Sequence, residues 1–87
     1  MSRVYRGDGF EVRGEGMHSF RYKEKYRSAI LNAERLSGFN QSPSFLLYPK
    51  TARWDDGIPV TDEERSFIVR AISDALEHFN IKYEVGL

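Results

Sequence analysis

The sequence contains no cysteine, only two histidines, His18 and His78, and only three prolines. Without cysteine there is no disulfide framework and no thiolate metal site. The two histidines have no second nitrogen or carboxylate at metal-ligand spacing, and His78 suits the last turn of a helix, where positive charge complements the dipole. No apolar run exceeds a few residues, Phe45-Leu46-Leu47-Tyr48 being the longest type, far short of the ~20 needed to span a bilayer. A secretory signal is missing as well: Arg3 and Arg6 precede Gly7-Asp8-Gly9 where an apolar stretch belongs. A cytosolic, soluble chain follows as the expectation, with no membrane partner.

What is present suits one small domain over residues 1–87. Hydrophobic residues make up 40%, aromatic 14% and charged 30%, an ordinary globular balance. A chain this short hides only about 60–65% of its unfolded surface, so nearly every apolar side chain is needed for one core. The net charge is zero but unevenly laid out: Met1–Arg53 carries ten Lys/Arg against five Asp/Glu, and Trp54–Leu87 three against eight. Two faces that attract each other within the fold would produce this, and so would an acidic surface offered to a basic partner.

The clearest element is a helix from Asp62 to Phe79. Thr61-Asp62-Glu63-Glu64 forms a capping box, and Asp62 and Glu63 complement the positive end of the helix dipole. Phe67, Ile68, Ala71, Ile72, Ala75, Leu76 and Phe79 form one apolar stripe, opposite Ser66, Arg70, Ser73, Asp74 and Glu77. Asn80 tolerates the left-handed conformation that ends helices.

A one-sided helix must lie on something, and the remaining segments read as strands. Ile81, Tyr83 and Val85 alternate with Lys82 and Glu84; Ser44–Tyr48 suits a central strand; Val4–Arg6 and Phe10–Arg13 flank a Gly7-Asp8-Gly9 hairpin turn. Met17–Leu36 satisfies both periods. Tyr22, Tyr26, Ala29, Ile30, Ala33 and Leu36 fit a helical stripe ended by Gly38, whereas Phe20 and Tyr22 alternate with Arg21 and Lys23, with a turn at Glu24-Lys25. Gly38–Pro43 reads as a polar loop. The fold class is α+β: a small antiparallel sheet of N-terminal hairpins, central and C-terminal strands, packed on one long amphipathic helix near the C-terminus.

Residues arranged for catalysis are not recognisable. No serine sits in a nucleophile elbow, the glycine pairs lack the following Gly-Lys-Ser/Thr of a phosphate loop, and Asp55-Asp56-Gly57 lacks the alternating ligands of a calcium loop. The chain is therefore expected to be no enzyme and to need no cofactor or metal. Phe20–Arg27 interleaves aromatic and basic residues as nucleic-acid binders do, but the same pattern describes a strand with rings inward and charges in water. Trp54 either closes one end of the core or, exposed beside Asp55 and Asp56, makes a binding hot spot.

Tyr22 through Glu34, then Leu47-Tyr48, Trp54 and the Pro59–Arg65 helix start, resemble small immunity proteins of bacterial polymorphic-toxin and contact-dependent inhibition systems, in particular the immunity protein 74 family. The shared order is a Tyr-x-Glu turn (Tyr22, Glu24), an Arg and a strand ending in Glu, a Trp, and an acidic Thr-x-Glu-Glu-Arg helix followed by a short strand. Where that family carries a proline soon after the Trp, this chain has Asp55-Asp56-Gly57. The resemblance implies that His18–Lys23 and Arg27–Ala33 form a hairpin. It also implies a monomer that binds and neutralises one cognate toxin, a nuclease by expectation, by occluding its active site. The contact residues expected on this view are Trp54, Asp55, Asp56, Asp62 and Glu63, where acidic groups face a basic nuclease cleft, together with Tyr22 and Glu24. The alternatives are a nucleic-acid-binding or regulatory module using Phe20–Arg27, and a subunit of a larger enzyme.

Overall fold

The computed structural model describes residues 3–36 and 44–86; Gly38 and the expected Gly38–Pro43 loop lie outside them. The fold is α+β. Among the described residues, seven strands form a curled sheet and one helix covers one of its faces. The strands are β1 (Val4–Arg6), β2 (Glu11–Gly14), β3 (Ser19–Lys23), β4 (Ser28–Leu36), β5 (Ser44–Leu47), β6 (Arg53–Trp54) and β7 (Lys82–Val85), with α1 spanning Asp62–His78 between the last two. Among the described residues, no helix is long and apolar enough to cross a membrane.

The hairpins follow from local chemistry. Gly9, at φ +83°, takes a backbone conformation that side chains disfavour, and Gly7 N–H donates to Phe10 O at 2.9 Å, turning β1 into β2. The two-way segment Met17–Leu36 is a hairpin: Glu24 N–H donates to Arg27 O at 2.8 Å, setting Tyr22 opposite Ala29 and Phe20 opposite Leu31. A helix there would have left Tyr22 and Leu31 on opposite faces, whereas the hairpin buries both.

β4 is the long central strand, flanked by β3 on one side and by β5 and then β6 on the other. An uninterrupted β5 would set Ala29 against Thr51, yet Ala29 meets Trp54, three residues later. Those three residues are the 3₁₀ turn Pro49–Thr51, and Pro49, which has no N–H to give, ends the ladder. The Thr51 hydroxyl fills the gap by accepting from the Asn32 amide at 2.8 Å and donating to Tyr48 O at 2.6 Å. This insertion brings Trp54 onto the helix-facing side.

α1 begins where its capping box lies: Thr61 Oγ1 accepts from Glu64 N–H at 3.1 Å and Glu64 Oε1 from Thr61 N–H at 3.0 Å. It ends in a Schellman motif, with Asn80 at φ +59°, Asn80 N–H bonded to Glu77 O and Ile81 N–H to Leu76 O. Ile68, Ala71, Ile72, Ala75 and Leu76 pack on Val12, Phe20, Tyr22, Ala29, Leu31, Ala33, Leu47 and Trp54. Each large side chain so buried contributes about 1.5–3 kcal/mol. Two positions depart from the expected stripe. Ser73, assigned to the polar face, is buried, and Phe67, assigned to the core, is 52% exposed.

The sheet is antiparallel except at β7. It runs parallel to β5, with Tyr83 beside Phe45, because the chain returns through α1 as a crossover. Ile81 and Tyr83 are partly buried, but Val85 is half exposed at the end of the strand.

Candidate functional site

A concavity of about 1090 Å³ lies between the β1–β2 turn, the β3–β4 turn and the first half of α1. Each wall comes from an element whose sequence fixes its position. Asp8–Phe10 belong to the glycine turn, Glu24–Arg27 to the tight hairpin turn, and Glu63, Phe67 and Arg70 to one side of the capped helix.

The floor is aromatic. Phe10, Tyr22 and Phe67 form a cluster with ring centroids 5.7–6.0 Å apart, Phe67 edge-on to the other two, and Tyr22 reaches Trp54 at 6.2 Å. Edge-to-face and tilted contacts of this kind are worth about 0.5–1.5 kcal/mol beyond the area they bury. At the mouth stand Phe67 and Tyr26, the latter 86% exposed.

Glu64 organises the wall beside Trp54. Its Oε1 accepts from Trp54 Nε1 at 3.2 Å as well as from the Thr61 amide, and its Oε2 accepts from Arg27 Nη1 at 3.2 Å. These donors, the Thr61 amide first and the Trp54 indole next, hold the Glu64 carboxyl below the usual carboxylate range. Arg27 lies over the Trp54 ring with its guanidinium carbon 3.7 Å from the centroid. Its Nε is 3.3 Å from Asp56 Oδ2 without hydrogen-bonding alignment, so Nε and Nη2 are buried without a hydrogen-bond partner. On the opposite wall the Tyr22 hydroxyl donates to Glu24 Oε2 at 2.6 Å; burial, then this bond, pushes the phenol up.

Of the residues singled out in the sequence, Tyr22, Glu24, Trp54 and Glu63 line this groove. Trp54 is 4% exposed and closes the end of the core, which removes it as an exposed hot spot. Asp55 and Asp56 lie outside the groove. Asp55 Oδ2 is 2.6 Å from Arg21 Nη1 and Asp56 pairs with Arg27, so these acids tie the acidic half of the chain to the basic half. Asp62 sits at the helix start with its side chain open to solvent, pairing with Arg65. Tyr26 and Arg27 enter the sequence reading within the Phe20–Arg27 segment, and Phe67 only as part of the apolar stripe of the helix. An aromatic ring in a four-residue turn was the available signal for Tyr26; the exposure of Phe67 depends on how far α1 is rolled over the sheet, which no local pattern states.

The segment Phe20–Arg27 does not present its rings together. Phe20 and Tyr22 face the core, and Arg21 is engaged by both oxygens of Glu15 at 2.7 and 2.5 Å, by Ser28 Oγ and by Asp55. Tyr26 alone of these aromatics is free to stack. His78 packs against the rings of Tyr5 and Phe79. Among the described residues, no group of three or more His, Asp or Glu side chains is placed to hold a metal ion. Comparison with protein-family models, with curated proteins and with solved structures found no match to this chain.

Proposed function

We propose that the chain is a protein-binding inhibitor, an immunity protein that neutralises a cognate bacterial toxin by covering its active site. The observation that carries this reading is the pair of exposed rings, Tyr26 and Phe67, at the mouth of an aromatic-floored groove. Large aromatic side chains beside a desolvated pocket are what protein interfaces use as anchors. Of the groove's carboxylates, Glu64 is engaged by three donors and Glu24 by Tyr22, so the inner walls offer shape and ring surface. The order of motifs shared with the immunity protein 74 family supports the toxin as the partner. The exposed carboxylates Asp62 and Glu63 beside the groove suit a basic, nucleic-acid-holding cleft.

The test is co-expression with the toxin domain encoded beside this chain's gene. Protection of the host, a complex on gel filtration, and loss of both in folded Tyr26→Ala/Phe67→Ala are expected. Full protection by that variant rules out the groove, and the absence of any toxin gene beside this one removes the toxin.

A further inference from the structure

The two edges of the sheet differ in what they could accept. In a parallel ladder, alternate residues turn their backbone groups to the neighbour, and Gly86 N–H donating to Leu47 O at 2.8 Å sets the phase. Lys82 and Glu84 therefore direct their N–H and C=O groups at β5, and Tyr83 and Val85 direct theirs outward. Among the described residues nothing pairs with that outer edge. Beside it a cleft of about 650 Å³ runs between β7 and α1, with Pro49, Val69, Tyr83 and Val85 as its apolar lining, and Val85 is half exposed.

An open strand edge invites any strand, and a Lys on the edge is a common guard against that. Here the charges are selective. Lys82 and Glu84 point to the face away from the helix and take part in no ion pair among the described residues. Set antiparallel to itself with Tyr83 on a two-fold axis, β7 places Lys82 of each copy directly opposite Glu84 of the other. Tyr83 and its counterpart then exchange both backbone hydrogen bonds, because Tyr83 is a residue whose N–H and C=O face outward. The Lys–Glu pairs fall at the closer, non-hydrogen-bonded positions, where side chains on adjacent strands meet. The other edge, β1, lacks this property: reversed on itself it sets Val4 against Arg6.

From this self-complementarity we infer that β7 is a homodimerisation edge, joining two copies of the chain into one continuous sheet about a two-fold axis at Tyr83. An isologous contact of this kind closes on itself and does not propagate into fibres. It adds a dimer at high concentration to the monomer expected from the sequence. It also leaves the Tyr26–Phe67 groove of each copy open, since that groove is built by the β1–β2 turn, the β3–β4 turn and the first half of α1. Four residues per copy is a small contact beside the ~1,200–2,000 Å² of a stable complex, so the dimer forms only at high micromolar concentration.

Sedimentation velocity over roughly 10 μM to 1 mM measures the association. The wild type shifts from monomer to dimer over that range. Lys82→Glu or Glu84→Lys places like charges opposite each other twice per dimer and weakens association about tenfold or more, while circular dichroism shows each variant folded. The double variant Lys82→Glu/Glu84→Lys restores opposite charges across the axis and recovers dimerisation. A wild type that stays monomeric throughout overturns the inference and leaves the edge to a strand of another protein. A dimer indifferent to the single substitutions, or not rescued by the double one, overturns it equally.

Discussion

The guanidinium carbon of Arg27 lies 3.7 Å from the centre of the Trp54 ring, although one residue belongs to the β3–β4 turn and the other to the end of β6. Glu64 of α1 bonds to both, so a hairpin turn, a two-residue strand and the helix cap meet in one contact. This is where the basic and acidic halves of the chain are fastened together.

Arg27→Ala is expected to cost about 1–2 kcal/mol, the sum of the stack and two partly exposed ion pairs. Urea unfolding followed by the fluorescence of the single Trp54 measures it. Arg27→Lys recovers little, because an ammonium has no plane to lay on the indole. An unchanged midpoint in the alanine variant would contradict the stack's contribution.

Thr61→Ala removes the hydroxyl that caps α1 and is expected to cost about 0.5–2 kcal/mol, or several degrees in Tm for a domain of this size. Differential scanning calorimetry gives the answer directly. A Tm equal to the wild type's would mean that the cap contributes nothing.

Acid should weaken the fold through Glu64 and Glu15, whose carboxyls sit below their ordinary value of 4.5. For Glu15 the bond from Arg21 is the main cause, and for Glu64 the amide of Thr61. A carboxyl lowered by folding stabilises the native state above its unfolded value and loses that contribution as pH falls through its folded one. Stability should therefore be level from about pH 7 to 5 and decline below about pH 4.5. Glu64→Gln lowers the plateau and makes the decline shallower. Urea midpoints across the range test this, and a wild-type profile no steeper than the variant's would remove Glu64 from the account.

Reversing Asp55 and Asp56 to Lys should cost up to about 1 kcal/mol, since both acids hold arginines from partly exposed positions. Toxin affinity, in contrast, should respond more to Asp62→Lys and Glu63→Lys. Titration calorimetry with the co-expressed toxin separates the two pairs; a larger affinity loss from the Asp55/Asp56 variant would move the contact surface to that loop.

Nucleic acid should not be retained at physiological salt, because the rings of Phe20 and Tyr22 are turned into the core. A mobility-shift assay with single-stranded DNA and RNA checks this. Micromolar binding with a steep salt slope would bring the nucleic-acid reading back.

The helix, its cap and its C-terminal stop were legible because each is written in adjacent residues: Thr61 with Glu64, the Ile68–Leu76 stripe, Asn80. The first hairpin was legible for the same reason, through Gly7 and Gly9. The second was not settled by pattern, because Tyr22, Ala29 and Ala33 fit a helical stripe and a strand alternation equally well. What decides it is packing beyond the segment: only as strands do Tyr22 and Leu31 both reach the core, with β6 paired against Ala29 past the Pro49–Thr51 turn. The same distant cause buries Trp54, so its role as a core residue was undetermined by its neighbours Asp55 and Asp56. The groove was hidden for a similar reason: Tyr26 and Phe67 are 41 positions apart and share a rim only after α1 has docked.

Because β7 is parallel to β5, residues 48–81 intervene between two strands that end up side by side. β5 needs only the nearby β4 to pair, whereas β7 can reach β5 only after the whole of residues 48–81 has folded into place. Until α1 has been laid across the sheet, the Phe45–Leu47 edge stands open in the folding chain. A contact closed over that distance in sequence forms late and slowly, and an apolar edge left waiting is where misassembly begins. The interval between the pairing of β5 and the arrival of β7 is thus the one in which the folding chain is most open to misassembly.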